Sequence, residues 1–469
     1  MVRQLAAFAV ACRDKDLPAE IAADVVGRVL DVLGNSLAAY ADSDADAARA
    51  VLRTAGRWGG RPEATAIGSG DRLPAPWAAL VNGTLAHSLD FDDTHLPSVL
   101  HPSASVVPAA VAAAEAAGAD GRAVIAAAAA GIEVCNRLGM ASYLPEIRNS
   151  LFFERGQHAT SICGTLGAAV AAGLVSGLDA DGIGHALGIA ASMGAGVLEA
   201  NRTGGTVKRV HCGWAAHAGV TAAALAAEGV SGPPTVLEGR FGFFAAWLDG
   251  RYDRDALVSG LGTRWELPRT VYKPYPANHF THPAIDCALA LRPRIADVGA
   301  IAAIELGVAA PVLRTIAEPG VEKARPRSAY HAKFSGPYAV AAALLGGGGL
   351  GVGTDDFAAL RPECLELAAR VRCVADERAS ELFPHAFAAV LKVRMADGAV
   401  LWHRVDSSRG GPEHPLTERE LVVKFTDNAT RAMSAERALE LAEAVRGLPR
   451  AVSVVPVMAL TAAGAGRSG

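Results

Sequence analysis

After Leu17-Pro18, apolar residues recur at Ile21, Val25, Val29, Leu30 and Leu33. Gaps of three and four put them on one face of a helix, and proline suits a first helical turn because its missing N–H would have no partner there. Alanine-rich stretches predict further helices at Val107–Ala117, Arg122–Leu138, Ala159–Gly173, Ile183–Leu198 and Ala215–Glu228. Their side chains are small on every face, so these helices are expected to pack closely. The period changes after Pro268. Ile304, Leu306 and Val308 alternate as in a strand, and "ARVRCVAD" does the same. "AVLKVRMADGAVLWHRVD" reads as two strands joined at Asp397-Gly398, a dipeptide suited to a tight hairpin turn. A helix from about Phe334 to Leu345 falls between, and helix returns from Pro412, with "SAERALELAEAVRGL" amphipathic. The predicted fold is mainly α with an inserted α+β domain. Residues 1–266 and 412–469 form a large all-helical domain, and residues 267–411 a smaller α/β domain inserted into it.

Composition narrows the class. A chain of 469 residues can bury a large core and form more than one domain. With 51% hydrophobic and 20% charged residues it is globular, not disordered. The net charge of −4 offers no general attraction to nucleic acid or an anionic membrane. An anionic ligand would need cations gathered locally. Seven cysteines lie between Cys12 and Cys373 without a CxxC pair, which predicts reduced, buried thiols and a cytoplasmic protein. "MVRQLAAFAVACRDKD" has a short apolar run like a signal sequence, but no small-residue cleavage site follows and helix resumes at once, so a helix of the fold is expected. Ala159 to Leu178 is uncharged and of membrane-spanning length, but its Ala, Gly, Ser and Thr predict a buried core helix. "GGGGLGVG" lacks the lysine and the preceding strand of a phosphate loop and reads as a connector.

Chemistry concentrates in five stretches. "HSLDFDDTHLPSVLHPSAS" holds Asp90, Asp92 and Asp93 among His87, His95 and His101. If Leu85 to Thr94 is helical, His87, Asp90 and Thr94 share a face. A Mg²⁺-diphosphate site would want acids at DDxxD-like spacing and a second acidic motif. A zinc site could draw on the three histidines, across a loop with two prolines. The third reading is a proton-transfer site, with Asp92 and Asp93 as capping or solvated acids. "GGTVKRVHCGWAAHAG" brings Lys208, Arg209 and His211 to a helix start, where neighbouring cations and burial would lower the lysine's proton affinity. "VYKPYPANHFTHPAID" carries Lys273, His279 and His282 among three prolines, where the chain enters the smaller domain. His158 precedes the uncharged helix in "RGQHATSICGTLGAA", and Tyr338 lies in "YHAKFSGPYAVAAALL".

These segments, together with "LPAEIAADVVGRVLDVLG", "VNGTLAHSLDFDDTHLPSVLHPSASVVPAAVAAAE", "LEGRFGFF" and "AKFSGPYAVAAAL", follow one another over residues 17–345 in the order of a known family. The chain resembles the MmgE/PrpD family, which includes 2-methylcitrate dehydratase, cis-aconitate decarboxylase and iminodisuccinate epimerase. The resemblance implies a helical domain with a smaller lid domain, a homodimer, and a cleft that works without metal or cofactor. Matching motifs imply a pocket of Asp90, Thr94, His101, His158, Lys208, Lys273 and Tyr338; with Arg209, His279 and His282 added from their own stretches, Asp90, His101, Lys208 and Lys273 are the expected catalytic residues and the other six substrate-binding residues. Aligned without a gap, Asn278 falls where the decarboxylase has a histidine, with His279 one step away, while His282 matches "THPAID". The expected activity is a cofactor-independent lyase of dehydratase type on a small di- or tricarboxylate, by proton abstraction beside a carboxylate. Epimerisation, decarboxylation and plain carboxylate binding are the alternatives. In each reaction a developing carbanion needs fixed positive groups beside it.

Overall fold

The computed structural model describes residues 1–42, 46–147, 149–200 and 205–463. The protein is mainly helical with small sheets, as its periodicity predicts. It divides into two compact units, Met1–Thr270 with Asn428–Gly469, and Val271–Asp427.

The first unit is a stack of helices. Val207–Ala227 packs against Ala75–His87 and Ala159–Val175, and the latter packs against Gly121–Ala141. Glycines permit this approach. A Cβ on Gly213 would overlap the carbonyl of Leu80 and the Thr84 side chain, and one on Gly131 or Gly167 would stand 2.6 Å from the other residue's carbonyl oxygen. Backbone therefore meets backbone, which only glycine allows. All of Ala159–Val175 is buried. Gly121–Ala141 is long and apolar enough to cross a membrane, but 89% of its apolar window is buried inside the protein. The N-terminal Val2–Asp14 helix packs on Ala180–Ala190 and Gly121–Ala141.

Several helix boundaries differ from the sequence pattern, two of them by eight residues. The stretch expected as Ile183–Leu198 is helical only over Ala180–Ala190. Asp179 starts it by accepting from the Gly182 N–H at 2.8 Å, and a turn at Ala191–Met193 ends it. The helix expected from Ala215 begins earlier, at Val207, so Lys208, Arg209 and His211 belong to its first turns.

The second unit is built on a four-stranded sheet in the order Val400–Val405, Ala389–Met395, Ile301–Val308, Val371–Ala375. The first three strands pair antiparallel, and the last is parallel to Ile301–Val308. The hairpin turns at Asp397-Gly398, where Gly398 takes φ +89° and the Asp397 carboxylate accepts from the Ala399 N–H at 2.9 Å. Helix Gly336–Leu345 fills the core behind the sheet, capped by Ser335, whose hydroxyl accepts from the Tyr338 N–H at 3.0 Å.

Candidate active site

The site grows from the end of the Ala75–His87 helix. Asp90 takes φ +56°, a left-handed conformation that a short polar side chain tolerates better than most. The helix therefore stops at His87, and the helical face expected to carry His87, Asp90 and Thr94 does not form. The chain instead makes a buried loop in which Asp90, Asp92, Asp93, Thr94 and His95 are all at most 4% exposed. Asp93 anchors it, accepting from Arg28 Nη1 at 2.7 Å and from the Ser103 hydroxyl. Arg28 also donates to Asp24 at 2.8 Å and to the Thr270 carbonyl at 2.7 Å. The Asn35 amide donates to the Phe91 carbonyl at 3.1 Å. His95 Nδ1 sits 2.7 Å from Ser98 Oγ, and its Nε2 is 3.4 Å from Glu266. Burial pushes the Glu266 carboxyl up, but His95 and Arg269 outweigh it and bring the group down to about 2. Asp93 and His95 are thus the struts of the loop.

Inside the loop the remaining titratable groups converge. His87 Nδ1 lies 2.6 Å from Asp92 Oδ2. His101 Nδ1 is 2.6 Å from the Asp93 carbonyl oxygen, 3.3 Å from Thr94 Oγ1 and 4.0 Å from Asp92 Oδ2. A carbonyl only accepts, so His101 carries its proton on Nδ1, and Nε2 is the nitrogen that can exchange one. Lys208 Nζ lies 4.0 Å from Asp90 Oδ1. His158 and His211 meet Nδ1 to Nδ1 at 2.9 Å. The His87 ring is 5.4 Å from that of His101 and 5.7 Å from that of His158, centre to centre. Exposure separates the members. The His101 and Lys208 side chains keep 14% and 12%, while those of His87 and Asp92 keep 1% each.

Two of the imidazoles are held in the neutral form. Burial, then Lys208 and the neighbouring imidazoles, hold His158 well below the usual histidine range. Burial, His87 and Lys208 bring His211 down to about 4. Both rings are therefore neutral at pH 7, and they hydrogen-bond as one donor and one acceptor.

The structure thus brings Asp90, Thr94, His101, His158 and Lys208 together, with Arg209 half-buried beside Lys208 on the same helical turn. Gly204, at the start of the glycine-rich turn before them, lies outside the described residues. In the second unit Lys273, His279, His282 and Tyr338 are all buried. The rings of His279 and His282 are 4.6 Å apart. His282 Nε2 sits 3.0 Å from the Ala277 carbonyl oxygen. Asn278 caps the short turn that follows it, accepting from the Phe280 N–H at 3.1 Å. The Tyr338 hydroxyl donates to the Ala359 carbonyl at 3.2 Å and accepts from the Arg361 N–H at 3.3 Å.

Comparison with known proteins decides the family. The family model described as the MmgE/PrpD N-terminal domain matches residues 3–255, and that of the MmgE/PrpD C-terminal domain matches residues 275–449. The chain belongs to the MmgE/PrpD family. Among curated relatives, the cis-aconitate decarboxylase of Homo sapiens is 32% identical over 388 residues, covering 80% of this chain and 77% of that protein. That of Mus musculus is 31% identical over 371 residues, 77% of this chain and 73% of that one. That of Aspergillus terreus is 28% identical over 411 residues, 84% of this chain and 82% of that one.

The zinc alternative can be tested on this MmgE/PrpD protein's own donors. Of the three histidines considered from sequence, His95 is turned toward Ser98 and Glu266. Among the described residues the donors that do converge are His87, Asp92 and Cys212, all buried and within 4.8 Å of one another. Their geometry is that of a hydrogen bond: His87 and Asp92 are 2.6 Å apart, whereas tetrahedral zinc at about 2.0–2.1 Å from each would separate two ligand atoms by roughly 3.3 Å.

The sequence pattern put His87 beside Asp90 and Thr94 and His211 beside Lys208, but the expected site residues included neither of them, nor Asp92. His211 stands three positions after Lys208 in one helix, so the i,i+3 rule could have found it. The His87–Asp92 pair depends on the sharp turn at Asp90, which no periodicity announces.

Proposed function

We propose that this MmgE/PrpD protein is a lyase acting on a small polycarboxylate without metal or organic cofactor, and that decarboxylation of an unsaturated tricarboxylate of the cis-aconitate type is its reaction. The supporting observation is that a cation, Lys208, and an imidazole able to exchange a proton, His101, sit in one cluster and keep 12% and 14% of their side chains exposed. The names of the relatives favour decarboxylation over dehydration and epimerisation.

In this reading Lys208 holds a substrate carboxylate and supplies the local positive charge that a chain of net charge −4 lacks overall. Asp90, beside Lys208, fixes the ammonium, and Thr94 fixes the His101 ring. The bond from carbon to one carboxyl group breaks and CO₂ leaves. The electron pair stays on that carbon, delocalised toward the remaining unsaturated acid, and protonated His101 delivers a proton to it from Nε2. His158 and His211, neutral and buried, line the site without adding charge that would bind substrate too tightly for release.

Lys273, His279, His282 and Tyr338 stay proposed site residues on the strength of their motifs, and loss of turnover in Lys273→Met tests that role. A homodimer is proposed from the same resemblance, with light scattering as its test. For the reaction, the test is a panel of di- and tricarboxylates in D₂O followed by mass spectrometry. Loss of CO₂ supports the proposal. Loss of water selects a dehydratase, deuterium uptake alone an epimerase, and unchanged, undeuterated acids a binding protein.

A further inference from the structure

Asp92 is buried too deeply to meet a substrate, with 1% of its side chain exposed, yet it is the acid nearest two imidazoles. We propose that Asp92 acts on catalysis through His101: its carboxylate, hydrogen-bonded to His87 and 4.0 Å from His101, favours the protonated form of that ring by its charge. This deepens the lyase reading, in which His101 delivers the proton.

The His158 and His211 rings and Lys208 all lie in the same cluster, contributed by the start of the Ala159–Val175 helix and by the Val207–Ala227 helix. Charge on any of them opposes charge on a neighbour. The acids are not equivalent. The Asp93 carboxylate faces Arg28 and Ser103, and only its backbone carbonyl reaches His101. Asp90 faces Lys208. Cys212, buried nearby, keeps its thiol proton. That leaves Asp92 as the carboxylate placed to offset a charge on His101, and His87 as the group that fixes it. The Asp93 carbonyl meanwhile sets the tautomer, so a backbone acceptor orients the ring and the Asp92 carboxylate acts on its charge. His158 gives the contrast: the charged groups that act on it are Lys208 and other histidines, and it is driven to the neutral form.

The test is a titration of the full chain labelled with ¹³C-histidine, following each ring by NMR, with the His101 signal assigned by its loss in His101→Gln. It needs no turnover, so it stands apart from the fate of the lyase reading. Asp92→Asn should weaken proton binding at His101 by about tenfold or more, since an ionic neighbour at this distance in a buried site is worth at least one pKa unit. His87→Gln keeps the carboxylate and should change that affinity by less than about threefold on the same scale. If Asp92→Asn does not fold, Asp92→Ser, which also lacks the charge, carries the same expectation. An unchanged His101 titration in the uncharged variant, or an equal weakening in His87→Gln, overturns the proposal.

Discussion

His158 and His211 face one another Nδ1 to Nδ1 at 2.9 Å, across helices whose contributing residues are 53 positions apart. The contact works only while at least one ring nitrogen lacks a proton, and burial beside Lys208 keeps both rings neutral. The unfolded chain has no such restraint. Above pH 6.5 His211 is neutral folded and unfolded, and it adds no pH dependence. Between 6.5 and about 4 the unfolded chain binds a proton there and the folded chain does not, so stability falls as the pH falls. Urea midpoints measured from pH 7 to 4.5 should show this loss, and His211→Gln should lessen it, the remainder coming from other buried histidines such as His158 and His95. Glu266, held down at about 2, loses its contribution only at lower pH and does not mask the effect.

The anchor of the loop is the Arg28–Asp93 pair, both at most 1% exposed. Arg28→Met leaves the carboxylate buried beside Ser103 alone and removes the donor to the Thr270 carbonyl. Breaking one side of such a pair costs about 3–5 kcal/mol. Chemical denaturation should show a loss of that size, and the loop histidines should lose their ordered NMR environment with it.

Close helix packing predicts opposite signs for one substitution at two glycines. Gly213→Ala forces a Cβ onto the backbone of Leu80 and Thr84 and should cost about 1–3 kcal/mol. Gly56→Ala, in the helix Asp46–Trp58 with nothing within 4 Å of the new Cβ, should stabilise by about 0.5–1 kcal/mol. Thermal melts of the two variants check both.

Much of this architecture was legible in the chain. Alanine-rich periodicity located the buried helices, and Asp397-Gly398 located the hairpin. The cluster was legible only in part. Asp90, Thr94, His101, His158 and Lys208 stand in motifs whose residue types announce chemistry. Asp92 and Asp93 are neighbours in sequence, yet one faces His87 and the other Arg28. That division is set by the left-handed turn at Asp90 and by a partner 65 positions away, neither of which leaves a local pattern. The apparent helix through Thr94 failed for the same reason: apolar spacing continues past His87 while the backbone reverses.

The central claim is that Lys208 and His101 carry a reaction on a polycarboxylate, and its most direct measurement is an NMR time course of cis-aconitate in D₂O with the unmodified protein and with Lys208→Met. The account predicts loss of CO₂, one solvent deuterium on the product carbon, and a fall in kcat/KM of at least about a hundredfold in the variant, the size expected for removing a fixed charge-stabilising group. Cis-aconitate that stays intact and undeuterated, or turnover that survives in Lys208→Met, would contradict it.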